Sequence, residues 1–443
     1  MEKNQVTESA QLQRKLGPTM LWGLGVGYVI SGMYFGWNLG LEQGGTLGLA
    51  IATGFIILMY LTFTFSYTEM ACAIPKAGGA FDYAYKALGK HGAFFAGMAQ
   101  NIEFIFAPPA IAFAIGAYVH IFLPTVSITL IAIVAYLIFT ALNIYGIEAA
   151  AAFELFITVL AVLGLVLFFF ATGPSFSIEN LKIDALPNGW TGVFAAIPFA
   201  IWFFLAIEGV ANVAEETINP QRNILIGFGS ALVTLVILCI LTFLFSVGAN
   251  GWETVVYDPE TGMASDSPLP LALGVVMGTD QWLFKVISFI GISGLIASFH
   301  GIILAAGRAT YEFGKMGYAP SVFGRIHRRF KTPANALVIN TIIGIIALLT
   351  GRTGEIITIA CFGALTLYVL SMVSMIRLRR RFPELPRPFK VPFYPLSPII
   401  ALVISLIALL SVTIYNPWLA LIFLAILILA YAWFRMMYKE NVK

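Results

Sequence analysis

Three ionisable side chains lie deep within apolar stretches of this 443-residue chain. They are Glu103 in AQNIEFIFAPPAIAF, Glu208 in IPFAIWFFLAIEG and His300 in LIASFHG. An intramembrane charge costs at least about 2.5–3.5 kcal/mol, so such a residue is a candidate for function. No Lys or Arg lies near the centre of any of these stretches, so the two carboxyls need a cation: a proton, a metal ion or a cationic substrate. Tyr28, Tyr34, Trp37, Phe104, Trp202, Phe203 and Phe204 can wrap an ammonium by cation–π contact, worth about 2 kcal/mol when desolvated. Each residue also has a plainer role. Glu208 as a protonated carboxyl can bond a broken backbone, Glu103 can bond a neighbouring helix, His300 can pack, and Trp202 can fill the core or gate. Glu69, Glu148 and Glu154 stand near the ends of apolar stretches and are expected to reach the interface. No nucleophile–base set appears, because Ser298 and His300, two positions apart, diverge on a helix. No Gly-Lys-Ser/Thr loop for nucleotide phosphates appears either. The reading is therefore not an enzyme, with no catalytic residue and no cofactor. Cys72, Cys239 and Cys361 are far apart in apolar segments and suggest neither disulfide nor metal site.

The elements that must position these groups follow from composition. The chain is 59% hydrophobic and 11% charged, with mean hydropathy +0.90, against about 25% charged for a soluble domain. Twelve apolar runs approach or exceed the roughly 20 residues that cross a bilayer: 18–40, 46–72, 91–121, 126–146, 149–172, 191–214, 223–248, 281–314, 333–350, 354–377, 396–414 and 416–438. They are numbered spans 1 to 12. The first is long and has no small-residue cleavage site, so it reads as a span and not a signal peptide. Lys and Arg gather in alternate connections, including Lys3, Arg14, Lys76, Arg222, Arg325 and Arg379–Arg381, while the other side keeps Lys182, Lys285 and Arg352. The positive side is cytoplasmic, which predicts an inner (plasma) membrane protein with both termini in the cytoplasm. Residues 73–90 read as a cytoplasmic amphipathic loop. Residues 249–280 read as an external, solvated, acidic loop. Neither a nucleic acid nor an obligate protein partner is indicated.

Two spans are interrupted. Span 1 holds GVGYVISGMYFGWN (25–38), with four glycines, a serine and an asparagine; span 6 holds Pro198, Glu208 and Gly209. They lie five spans apart, which predicts two five-helix repeats of opposite orientation. Matched interruptions in inverted repeats point to a transporter's binding site, since unwound backbone at membrane depth must line a cavity. Glycines also serve plain helix packing, and Gly25 and Gly27 are read either way. The expected organisation is a tail at 1–17, a first repeat at 18–190, a second at 191–378, and spans 11 and 12 with the C-terminus at 379–443.

At these residues the chain resembles the amino acid–polyamine–organocation (APC) superfamily of permeases. The resemblance covers nearly the whole length. It rests on EMACAIPKAGGAFDYAYKALG (69–89), AEETINPQRNILIG (214–227) and LRRRFPELPRPFKVPFYP (378–395), in order and after the right spans. It implies an all-α polytopic protein with twelve transmembrane helices and the LeuT-type 5+5 inverted repeat, with helices 1 and 6 broken. The departures concern the substrate. Amino-acid permeases of the superfamily usually carry Gly-Ser/Thr-Gly at the span 1 break, where N–H groups hold the substrate carboxylate; here Ser31-Gly32-Met33 stands there. Ala206 stands where a glycine is common, and Ala161 where several relatives have a lysine. Glu103 is an added carboxylate. GVGYVISGMYFGWNLGLEQGG, NIEFIFAPPAIAFAIGAYV and AIWFFLAIEGVANVAEE look like the ethanolamine permease branch.

The resemblance implies uptake of a small cationic amine, ethanolamine foremost, by alternating access, with spans 1, 2, 6 and 7 rocking against 3, 4, 8 and 9. Glu103 and Glu208 are then candidates for the ammonium. Asn101, Ser31 and the freed backbone at Gly32 and Ala206 are candidates for the hydroxyl, and Tyr28, Tyr34, Trp37, Trp202 and Phe203 close the pocket. His300 completes the set. Coupling to a proton would use Glu208 or His300; coupling to sodium would use Ser298 and span 1 carbonyls; uniport is the third course. Two rivals stand: a proton-coupled amino-acid permease, which zwitterions would compete for, and a transporter-like membrane receptor, which would bind without flux.

Overall fold

The computed structural model describes residues 14–76, 78–146 and 150–437. Lys3 and Glu148, used in the sequence reading, lie outside them. Among the described residues the chain is helical, with two isolated bridges, Leu16 with Thr217 and Tyr257 with Ala264. Ten helices are long and apolar enough to cross a membrane. The other two expected spans are shorter pieces. Span 1 is Pro18–Val29 followed by Ser31–Tyr34, and span 9 is Ala334–Leu348. Spans 2 to 5 are Leu39–Ala73, Ala80–His120, Ile128–Tyr145 and Ala150–Thr172. Spans 7, 8 and 10 are Pro220–Asn250, Trp282–Lys315 and Thr353–Arg381. Spans 11 and 12 are Leu396–Tyr415 and Pro417–Met437.

Span 6 is the most broken. Gly189–Ala195 and Ile197–Trp202 are α-helical, and the chain resumes as 3-10 turns over Ile207–Glu216, divided by a kink at Val213. Such turns have poorer hydrogen-bond geometry, and in the middle of a helical span they mark a hinge or strain. Between the halves Ala206 takes φ +72°, the left-handed region that disfavours a Cβ.

Two connections differ from expectation. The main helices of spans 2 and 3 start just after Gly45 and Gly89, at the expected 46 and 91 to within two residues, but short helical segments, 39–44 and 80–88, precede them. Gly45 (+63°) and Gly89 (+77°) take non-helical backbone, and each marks a kink between two helical segments. Residues 80–88, read as loop, are helical. The 249–280 loop, read as solvated, is docked: it folds into Glu253–Val256 and Pro268–Met277 and buries Trp252, Val255, Leu269 and Leu273.

Burial grades the spans. The apolar window of span 6 is wholly buried and that of span 3 nearly so, whereas spans 4 and 12 present most of theirs outward. Phe156, Phe170, Ile414 and Leu429 are among the exposed apolar side chains, as a bilayer requires. The two helices that carry Glu103 and Glu208 are therefore the ones furthest from lipid.

Candidate functional site

The two interruptions meet. Gly32 lies so close to span 6 that a Cβ there would sit 2.5 Å from the Trp202 carbonyl oxygen and 3.1 Å from Phe203 Cα. Trp202 Nε1 donates to Phe35 O at 3.0 Å, the Trp202 and Phe35 rings meet edge to face at 5.3 Å, and Trp37 stacks on Phe203 at 5.6 Å. The broken backbone of span 1 thus receives a side chain from span 6, and the two breaks pack ring against ring. Freed polar groups cannot be satisfied by lipid.

Glu103 reaches this junction from span 3. Its Oε1 accepts the Ala206 N–H at 3.1 Å, at the turn where span 6 restarts. Glu208 follows two residues later, and its Oε2 accepts from the Tyr368 hydroxyl at 3.1 Å; Tyr368 in turn bonds the Tyr60 hydroxyl at 3.0 Å. The Glu103 and Glu208 carboxyls lie within hydrogen-bonding reach of each other. Among the described residues Glu103 Oε2 and Glu208 Oε1 have no other donor, and both residues are fully buried. Two like charges cannot both persist there unaided, so the pair requires a shared proton or another cation between its oxygens. Tyr60, Phe63, Phe104 and Phe204 are buried around them. A Cβ at Gly363 of span 10 would lie 2.7 Å from Glu103 N, so spans 3 and 10 are in backbone contact beside the pair.

A second polar knot ties span 1 to spans 5 and 8. The Ser298 hydroxyl donates to Gly27 O at 2.6 Å and accepts from Ser31 N at 2.9 Å, bridging both ends of the span 1 break. His300 Nδ1 lies 3.4 Å from Glu154 Oε2. The Glu154 side chain borders Gly27, where a Cβ would come within 2.7 Å of both Glu154 Oε1 and Thr158 Oγ1.

The remaining candidates scatter. The Asn101 amide donates to Gly97 O at 2.8 Å and accepts from Thr310 at 2.7 Å, beside Asn340, away from Glu103. The Tyr34 hydroxyl donates to Ala161 O at 2.6 Å, and its ring packs on Gly291 and Gly294 of span 8. The Tyr28 ring fills the space between Gly209 and Gly301. The structure thus gathers Gly32, Trp202, Phe203, Ala206, Glu103 and Glu208 at one junction, and Ser31, Ser298 and His300 at the second knot. Gly25 packs against Ala231 and Val210, the plain packing role. Glu154 and Glu69, expected at the interface, are both buried: neighbouring helices cover them at positions that look terminal in sequence. Tyr60, Tyr368, Glu154 and Thr158 were missed; a hydroxyl or carboxyl at helical spacing in an apolar span was the available signal.

Both ends of the bundle are fastened. Glu69 accepts from Arg379 Nε and Nη2 at 2.8 and 2.6 Å and from Val391 N at 2.7 Å, and Arg387 Nε lies 3.2 Å away. At the other end Asn38 Nδ2 donates to Ser265 O at 2.8 Å, and the Thr353 hydroxyl donates to Asp266 at 2.9 Å. Loss of water around Asp266 pushes its carboxyl up to about 6, against the opposing effect of the Thr353 bond. Cavities of about 860 and 470 Å³ open beside this loop; Glu103 and Glu208 line neither.

The family model for amino acid permeases matches residues 19–437. An uncharacterized transporter of Rhizobium meliloti (strain 1021) is 28% identical, over 89% of this chain and 85% of that protein. Two Bacillus subtilis (strain 168) proteins are similar at comparable levels. The methylthioribose transporter is 27% identical over 89% of this chain and 87% of its own, and the branched-chain amino acid permease BcaP is 26% identical over 90% and 88%. A solved manganese transporter of Eremococcus coleocola superposes with TM-score 0.58 over 96% of this chain and 98% of its own, at 13% identity. That likeness is one of fold: an all-α, LeuT-type architecture with broken helices 1 and 6.

Proposed function

This chain belongs to the amino acid permease family, and on that premise we propose that it imports a small cationic amine, ethanolamine foremost, by alternating access. One observation carries the substrate reading. The backbone N–H of the span 6 break is the kind of group that would hold a substrate carboxylate, and here Glu103 of the chain itself occupies it. A substrate without a carboxylate leaves that bond intact. It brings an ammonium, which supplies the cation that the Glu103–Glu208 pair lacks. The enclosing aromatic rings favour an ammonium further. In this reading the repeats are spans 1–5 and 6–10, and the protein lies in the inner membrane with cytoplasmic termini.

A second reading has its own support. The curated relatives include a branched-chain amino acid permease, and Glu103 could yield Ala206 N–H to an incoming carboxylate. Uptake of labelled ethanolamine into proteoliposomes, challenged with excess alanine, arginine and choline, separates the two. Saturable flux indifferent to alanine and lost in Glu103→Gln and Glu208→Gln supports the amine. Alanine competition, or amino-acid flux without ethanolamine flux, refutes it.

A further inference from the structure

We propose that Glu154 and His300 form a second cation site, distinct from the Glu103–Glu208 pair, and that it carries one proton in each transport cycle. The argument begins with charge. Glu154 is buried to 2% and His300 to 7% exposure, and their single bond among the described residues is His300 Nδ1 to Glu154 Oε2. Glu154 Oε1 has no partner among the described residues. A buried ionisable group must be neutralised or paired. With one proton the couple is neutral as a whole, whether the proton sits on carboxyl or imidazole. With none it is a buried anion, and with two a buried cation; either is costly. The closed form therefore holds one proton there.

Among the described residues the surroundings offer the couple no other source of neutrality. Span 4 offers it Phe139, and span 5 offers Phe153 and Thr158. Span 1 offers the Gly27 backbone and Tyr28. Arg308 of span 8 and Glu216 of span 6 are paired to each other at 3.0 Å. Thr158 Oγ1 and Ser298 Oγ already donate to Gly23 O and Gly27 O. A metal ion would thus find few free oxygens, whereas a proton needs only the couple.

Position links this proton to movement. Glu154 Oε1 lies against Gly27, so the first half of span 1 is its lid. That lid is fastened by Ser298, two residues from His300, which also holds Ser31 N at the break. Swinging span 1 away breaks the Ser298 bonds and admits water to Glu154 Oε1 in one motion. Proton exchange and opening of the span 1 break are then the same event.

The inference uses the amine-transport reading only for its flux assay. The full chain in voltage-clamped proteoliposomes is given a gradient of one pH unit with labelled ethanolamine. One coupled proton accumulates the amine up to about tenfold in the direction the coupling sets, inward or outward. Glu154→Gln and, independently, His300→Gln should reduce that accumulation to none while retaining amine counterflow, whereas Glu103→Gln loses both. Undiminished pH-driven accumulation in folded E154Q and H300Q overturns the proposal, as does wild-type accumulation that follows sodium and ignores pH. Absence of wild-type ethanolamine counterflow would refute only the amine reading. A substrate-free measurement then decides: a protonated-carboxyl infrared band that titrates in the wild type and is missing or shifted in both variants supports the site, and identical spectra overturn it.

Discussion

Neutralising Glu69 should unfasten the segment that follows span 10. The carboxylate is 2% exposed and receives two bonds from Arg379, one from Val391 N and a contact from Arg387. Arg387 also donates to Leu378 O and Phe382 O, carbonyls at the helix end that accept from Phe382 N and Leu385 N as well. Glu69 therefore anchors residues 382–395 to span 2 through one charge. Breaking a buried pair costs about 3–5 kcal/mol; the Arg379 side chain is 21% exposed, so the lower end applies, about 3 kcal/mol. Glu69→Gln should then lower the local opening free energy by that amount, which is a loss of amide protection of about a hundredfold. Hydrogen exchange read by mass spectrometry on peptides covering 382–395, and at the Val391 amide in particular, is the assay. Protection in the centre of span 3 should not change. Wild-type exchange at Val391 in a folded Glu69→Gln protein would refute the assignment of Glu69 as the anchor.

Three further outcomes are expected. Glu103→Ala leaves Ala206 N–H bare beside an emptied space, so ethanolamine uptake should fall about tenfold or more, while alanine, which brings its own carboxylate, begins to compete. Gly32→Ala pushes a methyl against the Trp202 carbonyl and should cost about 1–3 kcal/mol in thermal stability, with loss of uptake; Gly54→Ala, with nothing within 4 Å of the added carbon, should be silent in both assays. Asp266 ionises near 6 in the fold against an ordinary 3.8, so the folded state binds its proton more tightly. Its contribution is fullest below about pH 4 and is lost as pH rises through about 6. The difference in melting temperature between wild type and Asp266→Asn should change across that window and nowhere above it.

Local chemistry was legible in the sequence where it breaks a local pattern. Four glycines in fourteen residues of span 1, and Pro198 with Glu208 in span 6, disturb an apolar run visibly, and the structure brings those two disturbances together. Cover supplied by other helices was not legible. Glu154 stands near the end of its apolar stretch, yet span 1 and His300 enclose it; Glu69 stands near the end of span 2, yet the segment after span 10 folds back over it. The direction of Asn101 was within reach, since positions two apart on a helix do not face the same way, so Asn101 and Glu103 could not line one pocket. The Tyr60–Tyr368–Glu208 chain joins three spans whose register no single stretch encodes. The starts of spans 2 and 3 were legible, since Gly45 and Gly89 interrupt the helix there; the short helical segments before them, outside the apolar runs, were not.

The docked loop between spans 7 and 8 has a pharmacological consequence. It is tied at Ser265 to Asn38, just past the span 1 break, and at Asp266 to Thr353 at the start of span 10, which packs along span 3. Its tip, residues 259–264, is exposed and is ordered by Asp258, which accepts from Glu260 N and Thr261 N. An antibody fragment that grips this tip together with Arg352 would hold both tethers shut. Such a binder would arrest the protein without contacting the buried carboxyls or entering lipid.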